Sequence, residues 1–536
     1  MAAIIHQKDK RSGITYAYES ISYWDREKKQ SRAKRTLIGR VDERTGQIVP
    51  TDGRGRRKKE EATAVKSGPV PSTRTARLFC GATYLFDAIG RELGITEDLK
   101  RCFPKTWRQI LSVAYYLILE DRTPLRRFEK WSALHRHPYG ENITSQRSSD
   151  LFASITEEAK SEFFRLQGRR RLENEYWAYD ITSVSSYSEC LKQALYGRNK
   201  EDDLLPQLNL ALVFGEDSGL PFYYRKLAGN IPDVKTVKTL LAELDVLGFS
   251  KVKLVMDRGF YSEENINALF REHVKFLIAC RMSLSFARSN LEPIYDRFRS
   301  FESYDEVRGL YCRTVRAEWE YRQDRPYKKD VLVEPRRVYL HYYYDIDRAA
   351  EEEKAFDRRL AELKDELESS GRVPEHETWY RRYFDVSSTP KRGVKVTVKE
   401  DAVALKKRYL GFFALLSNET MDAATAQDLY RNKDLVEKAF GNLKERLNMR
   451  RVLVSSEQSL EGKLFVEFIA LIYLSCIKKR MRDSGLFKDY TLQGALDKLD
   501  VIECFESPGK APIVGEVLEK QKQIYAALGT PPPTSL

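Results

Sequence analysis

The sequence predicts an α/β fold built on a mixed sheet flanked by helices and interrupted by a β-rich insertion. Three observations predict it. Between residues 175 and 228 three apolar, β-branched runs follow one another with short breaks: EYWAYDITSVSS, LPQLNLALVFGE and LPFYYRKLAG. From there to residue 280, helical and strand-like patterns alternate. Helical periodicity dominates the chain on either side, over 76–170 and again after 456.

Taken in order, residues 1–75 open with alternating apolar and polar positions, as in ITYAYESISYW, with turn signals at DREKKQ and DERTG. These predict short antiparallel strands, an N-terminal β-hairpin region. DGRGRRKKEE at 52–61, followed by SGPVPSTRT, reads as a basic linker centred on Arg56, Arg57, Lys58 and Lys59. Two readings of that run stay open, a solvated charge cluster and an arm that tracks nucleic acid. Residues 76–170 are helical, in segments such as ATYLFDAIGRELGI and TWRQILSVAYYLILE, with no clear helix-turn-helix. Residues 171–280 carry the three strands, a helix over 233–247, the buried strand KVKLVMD, a helix starting at Ser262 and the strand VKFLIAC. Three antiparallel strands followed by β-α-β units are the pattern of an RNase H-like sheet. Residues 281–405 break this order with RRVYLHYYYD, KRGVKVTVKE and the charged helix DRAAEEEKAFDRRLAELKDELESS, and read as an insertion. In 406–455 the sheet resumes with YLGFFALLSN, followed by a long helix over about 422–447. Residues 456–536 are helical and end in a frayed PPPTSL.

Composition narrows the function. The 536 residues are 42% hydrophobic, enough for a large core spread over several units, and 32% charged with both signs mixed, which excludes a disordered chain. The net charge of +13 points to a polyanionic partner. It is concentrated at the start, where residues 1–75 hold 18 Lys and Arg against 9 Asp and Glu. The seven cysteines are scattered singly, with no C-x-x-C pair, which points to a reducing compartment and against a zinc module. MAAIIHQKDKRSG lacks the apolar core of a secretory signal. The longest apolar run, FVEFIALIYLSCI at 465–477, is short for a bilayer and contains Glu467, so a buried helix and no membrane are predicted. A soluble protein is expected, cytoplasmic if prokaryotic. His135 and His137 in LHRHPYG, spaced i,i+2 before Pro138, read as a loop rather than a metal pair.

Three carboxylates carry the chemistry. Asp180 ends one apolar strand, in WAYDITS, and Asp257 ends another, in KLVMDRGFYS, 77 residues later. An acid at the edge of a buried strand is costly unless solvated, paired or bound to a cation. Two such acids on neighbouring strands would repel each other and so favour a divalent cation. Either aspartate alone would also serve as a strand-end turn or a helix cap. Arg258 and Gly259 predict a tight turn into a helix with Glu263 and Glu264 in its first turn. In YRNKDLVEKAFGNLKERL, Tyr430, Lys433, Glu437 and Lys444 are spaced +3, +4 and +7, along one face of a helix. That stripe suits a surface meeting metal and phosphate, and an ordinary salt-bridged helix is the alternative, with Lys438, Glu445 and Arg446 near. Ser183, Ser185 and Ser186 beside Asp180 come without the arginine-rich pattern of serine recombination chemistry.

With these motifs in order, the chain resembles bacterial insertion-sequence transposases of the RNase H-like DDE class, in the branch marked by Y-x2-R-x3-E-x6-K. Tyr430, Glu437 and Lys444 match that spacing, while Lys433 stands where the family has Arg, keeping the charge and losing the bidentate fork. YDITSVSSYS, MDRGFYSEENI and GNIPD at 229–233 resemble the family's first and second carboxylate regions and the turn before its crossover helix. YESISYWDREKKQSRAKRTLIGR resembles the start of one long-chain subgroup. The resemblance implies two Mg2+ or Mn2+ ions held by Asp180, Asp257 and Glu437. It further implies hydrolysis of a phosphodiester at each element end, then joining of the 3′-hydroxyl to target DNA. It implies phosphate contacts from Tyr430, Lys433, Lys444 and Arg258, with Arg431 a substitute for the missing fork. Double-stranded DNA, as terminal inverted repeats and target, and a homodimer on DNA are the implied partners, in a prokaryotic, nucleoid-associated setting. In related transposases the insertion stacks a flipped base on an aromatic; Trp319 and Trp379 lie in that region, a core role being the plainer reading of each. A nuclease or DNA-binding protein derived from a transposase, without strand transfer, is the competing reading.

Overall fold

The computed structural model describes the chain except residues 1, 11, 26–29, 52–74, 122, 171–174, 187, 189–190, 198–204, 250–251, 370, 390–392, 448–450, 453–455 and 535–536. It divides into two units, Met1–Arg74 and Thr75–Leu536. In the first, β1 (Ala2–Lys8), β2 (Thr15–Asp25), β3 (Gln30–Val41) and β4 (Ile48–Val49) form an antiparallel meander in sequence order. The alternating sequence suits it, since one face of each strand differs in polarity from the other. The DERTG turn closes on Asp42, whose carboxylate accepts from the N–H groups of Arg44 and Thr45 at 2.9 and 3.0 Å. The linker cations Arg56, Arg57, Lys58 and Lys59 lie outside the described residues.

The second unit begins with β5 (Ala76–Phe79) and six helices: α1 (Gly81–Glu92), α2 (Ile95–Cys102), α3 (Trp107–Leu119), α4 (Phe128–Ser132), α5 (Ser145–Ala153) and α6 (Glu157–Arg169). The central sheet follows as β6 (Trp177–Ser186), β7 (Gln207–Gly215), β8 (Pro221–Ala228), α7 (Thr236–Val246), β9 (Lys253–Met256), α8 (Glu263–Arg271) and β10 (Lys275–Cys280). β7 is antiparallel to β6 and β8, whereas β9 is parallel to both β6 and β10. Every residue of β6 and β7 is buried, as expected for central strands covered on both faces.

Then come α9 (Ser285–Leu291), α10 (Tyr295–Phe298), β11 (Tyr304–Asp305), β12 (Leu310–Arg325), β13 (Asp330–Tyr344), α11 (Ile346–Glu368), α12 (Glu377–Tyr383), β14 (Phe384–Thr389), β15 (Gly393–Val398), α13 (Glu400–Lys407) and β16 (Phe412–Ser417). The stretch read as an insertion divides in two. Its β12–β13 hairpin joins the central sheet, which runs β11-β12-β13-β16-β10-β9-β6-β7-β8. The remainder, α11 to α13 with β14 and β15, closes around its own small core of Phe356, Leu363, Leu367, Tyr380, Tyr383 and Phe384.

After β16 come α14 (Ala423–Asn432), α15 (Asp434–Gly441), β17 (Arg451–Val452), α16 (Glu457–Asp483), α17 (Leu492–Asp500), β18 (Glu503–Glu506), β19 (Ile513–Val514) and α18 (Glu519–Ala527). The single helix expected over 422–447 is instead α14, a break at Lys433, α15 and a π turn over Asn442–Arg446. β18 pairs with β5, and α16 packs on α3 and α5, so the first and last helical regions share one core. No helix among the described residues is long and apolar enough to cross a membrane.

Candidate active site

The site forms where β9 stops short beside β6. These strands are parallel with Tyr179 opposite Met256, so the next residues, Asp180 and Asp257, fall side by side. Asp257 lies just past the end of β9, whereas Asp180, expected at a strand end, sits inside β6, which continues to Ser186 paired with β7. Asp180 is buried, its Oδ1 accepting from the Ile181 N–H at 2.8 Å. Asp257 caps the short turn Arg258–Phe260 that leads to α8. α8 starts as expected: the Ser262 hydroxyl accepts from the Asn265 N–H at 3.1 Å, and Glu263 and Glu264 face the positive end of the helix dipole.

α14 and α15 bring the third motif onto this edge. The Tyr430 hydroxyl donates to Asp257 Oδ1 at 2.6 Å. Lys433 Nζ lies 3.9 Å from Asp257 Oδ2 and 3.2 Å from Glu437 Oε1, and 5.5 Å from the Tyr430 ring centre. The Lys433 side chain is only 7% exposed, whereas that of Glu437 is 60% exposed. Burial by itself would raise the Asp257 carboxyl. The Tyr430 hydroxyl, the Lys433 charge and the Arg258 N–H outweigh it and hold that carboxyl below its ordinary value. Burial works against the charged Lys433, but Asp257, Asp180 and Glu437 together keep its ammonium more basic than usual.

The structure therefore brings Asp180, Asp257, Tyr430 and Glu437 around the buried ammonium of Lys433. As they stand, no three His, Cys, Asp or Glu side chains among the described residues are close enough to hold an ion. The donors fit a hard divalent cation nonetheless: they are carboxylate oxygens only, and two of them already share one positive charge. Arg258 and Arg431 are exposed. Lys444 is half-buried in the π turn, beyond the end of α15 that carries Glu437.

Supporting residues are less visible in the sequence. Gln207 and Asn209 on β7 donate to the Gly229 carbonyl at 2.9 and 3.4 Å, and Asn209 also to that of Ile231 at 3.2 Å, fixing the GNIPD turn. A Cβ at Gly229 would stand 1.9 Å from the Gln207 carbonyl oxygen, so this approach needs glycine. The buried Glu216 accepts from Asn432 at 2.6 Å, tying β7 to the end of α14; burial pushes its carboxyl up to about 7. Ser183 donates to Asn209 and is part of the sheet. His135 and His137 are core side chains, the first between the Trp131 carbonyl and Asp500, the second on Ser112. Trp319 is buried and donates to Asn267 at 2.9 Å, while Trp379 is 36% exposed beside Tyr383. A cleft of about 480 Å³ gathers Lys438, Arg446, Lys478, Lys479 and Arg482 over an apolar floor of Phe214, Ala439 and Leu492. Its visible signal is the KKRMR run at 478–482.

Residues 163–473 match the family model described as "Transposase DDE domain". Among solved structures, the chain is similar to a cryo-EM structure of a piggyBac transposase synaptic complex with hairpin DNA, at 10% identity and a TM-score of 0.32, covering 72% of this chain and 68% of that one. No curated protein matches.

Proposed function

The chain belongs to the Transposase DDE domain family, and from that membership we propose that it cuts phosphodiesters at the ends of a mobile DNA element and joins the 3′-hydroxyl ends to target DNA. Asp180, Asp257 and Glu437 are the catalytic carboxylates in this reading. The observation that carries it is the register that sets Asp180 beside Asp257, with Glu437 tied to the pair through Lys433. Residues 171–280 and 406–455 then form an RNase H-like core. The spatial order of its first five strands, third-second-first-fourth-fifth with the second alone antiparallel to the first, supports that assignment. Tyr430, Glu437 and Lys444 fit the Y-R-E-K spacing of the insertion-sequence branch, with Lys433 in the Arg position.

Asp180, Asp257 and Glu437 would hold two Mg2+ or Mn2+ ions, which when bound would supply Lewis-acid activation of a water or 3′-hydroxyl and charge neutralisation at the leaving oxygen. The protein's part is orientation. Tyr430 and the Arg258 N–H hold Asp257 ionised and in one rotamer. The fully buried β6 fixes Asp180, so little reorganisation remains when substrate arrives. Tyr430, Lys433, Lys444 and Arg258 are the phosphate contacts in this reading, with the exposed Arg431 beside them.

The test is cleavage and strand transfer by purified full-length protein on the terminal sequences bracketing its gene. Asp180→Asn, Asp257→Asn and Glu437→Gln should each reduce both reactions more than about 100-fold, beyond the loss typical when only a hydrogen-bonded partner of a metal ligand is removed, while binding of the end DNA stays within a few-fold. Near-normal cleavage by any one of them removes that residue from the site. Cleavage without joining of a pre-cut 3′-hydroxyl end would favour a nuclease that lacks transfer.

A further inference from the structure

Resting on the catalytic reading above, we propose that Lys433 is a built-in placeholder: in the DNA-free protein its ammonium stands in the space a divalent ion must take, and it moves to a DNA phosphate when substrate binds. Metal and DNA binding are thereby coupled.

A buried ammonium costs several kcal/mol unless carboxylates surround it. Lys433 has that compensation from Glu437 at 3.2 Å and Asp257 at 3.9 Å, so the acids dictate where it sits. An ammonium is a compact point charge, closer to an ion than a planar guanidinium is. It cannot share the carboxylates with a metal. An ammonium and a divalent cation held by the same carboxylates repel each other strongly in a partly desolvated site. One of the two has to leave.

The helix is built for that exchange. Lys433 lies at the break between α14, which ends at Asn432, and α15, which starts at Asp434. α15 is eight residues long and runs directly into the π turn over Asn442–Arg446, an irregularity of the kind that kinks helices and recurs at functional sites. Glu437 is thus carried on a short segment that is irregular at both ends. Its side chain, 60% exposed, and that of Asp257, 41% exposed, leave the site open on the side from which DNA would come. A phosphate arriving there offers Lys433 a new counter-charge and releases the acids to the ion.

The experiment is Mn2+ binding to the full-length protein, read by the paramagnetic signal of the free ion, with no DNA and then with a duplex of arbitrary sequence. Lys433→Met should bind Mn2+ about tenfold more tightly than wild type without DNA, a size usual for coupled sites. DNA should tighten Mn2+ binding in wild type and leave Lys433→Met unchanged. Lys433→Gln, which keeps a polar head, replaces Lys433→Met if the latter does not fold. If Asp257→Asn abolishes Mn2+ binding but Lys433→Met and Lys433→Gln bind no more tightly than wild type, the placeholder is refuted and the catalytic site stands. If Mn2+ binding ignores Asp257→Asn, the catalytic reading falls and this proposal with it.

Discussion

The hydroxyl of Tyr430, 2.6 Å from Asp257 Oδ1, decides how that carboxylate stands. Its donation is made to the ionised form and, with Lys433 and the Arg258 N–H, overcomes burial. Because the folded carboxyl lies below its ordinary 3.8, the stability it contributes is present above that value and is lost as pH falls through the lower, folded one. Tyr430→Phe removes the donor and keeps the ring. The expected result is a loss of about 10- to 100-fold in cleavage or metal affinity, as for other groups that orient a metal ligand by a hydrogen bond. Its thermal midpoint should sit below that of wild type at neutral pH, and the gap should close below about pH 4. A gap that persists unchanged at low pH would show that ring packing, not the hydrogen bond, matters. Asp257 is legible in the sequence because an acid ending an apolar strand violates the strand's own pattern. Asp180 stands out for the same reason as an acid in an apolar run, but it lies within β6 and not at its end. Lys433's partners are not legible there. Helical spacing assigns it to a face with Glu437, but only the sheet register reveals that Asp257 lies across from that face.

At the scale of elements, period and burial are readable and interruptions are not. The strands of 175–280 lie where their β-branched runs predict, since a central strand must be apolar on both faces. The break at Lys433 carries no proline or glycine to announce it, and Gly441, just before the π turn, does not by itself distinguish a π turn from an ordinary helix end. The place of the β12–β13 hairpin in the main sheet is equally hidden, because which strand it pairs with is a long-range choice that local alternation does not encode. α16 offers a sharper case. Its apolar run reads as a buried helix because of its length, and Glu467 within it is indeed 1% exposed, with both carboxylate oxygens lacking hydrogen-bond partners and Lys463 at 3.8 Å. Burial pushes its carboxyl up to about 7. A raised acid favours the protonated fold, so wild type loses stability as pH rises from the ordinary 4.5 through about 7. Glu467→Gln removes the titration. It should be more stable than wild type by up to about 3 kcal/mol at pH 8 and little different at pH 4.5, measured by urea unfolding. An equal difference at both pH values would rule out a buried charge as the cause.

For the whole molecule the question is where the excess positive charge acts. Composition alone points to the first 75 residues, yet the second unit holds a cationic cleft of its own, with Lys438 on α15, Lys478, Lys479 and Arg482 at the end of α16, and Arg446 in the π turn between them. Among the described residues no acid lines it. Burial first, then Arg446 and Lys438, lower the basicity of Lys478 against an opposing pull from Glu445, so like charges are crowded there although one acid is near. Such crowding weakens a fold unless a polyanion relieves it, and each phosphate neutralised releases condensed counterions from DNA. Lys438 and Arg482 are both exposed, so replacing them leaves the core untouched. Lys438→Gln with Arg482→Gln should flatten the plot of log affinity for duplex DNA against log salt by about 0.9 for each phosphate that is no longer neutralised. The weakening should be largest at low salt and nearly uniform across sequences, because binding to phosphates carries no base information. An unchanged salt slope would take the cleft out of the DNA path and return the electrostatic work to the N-terminal unit.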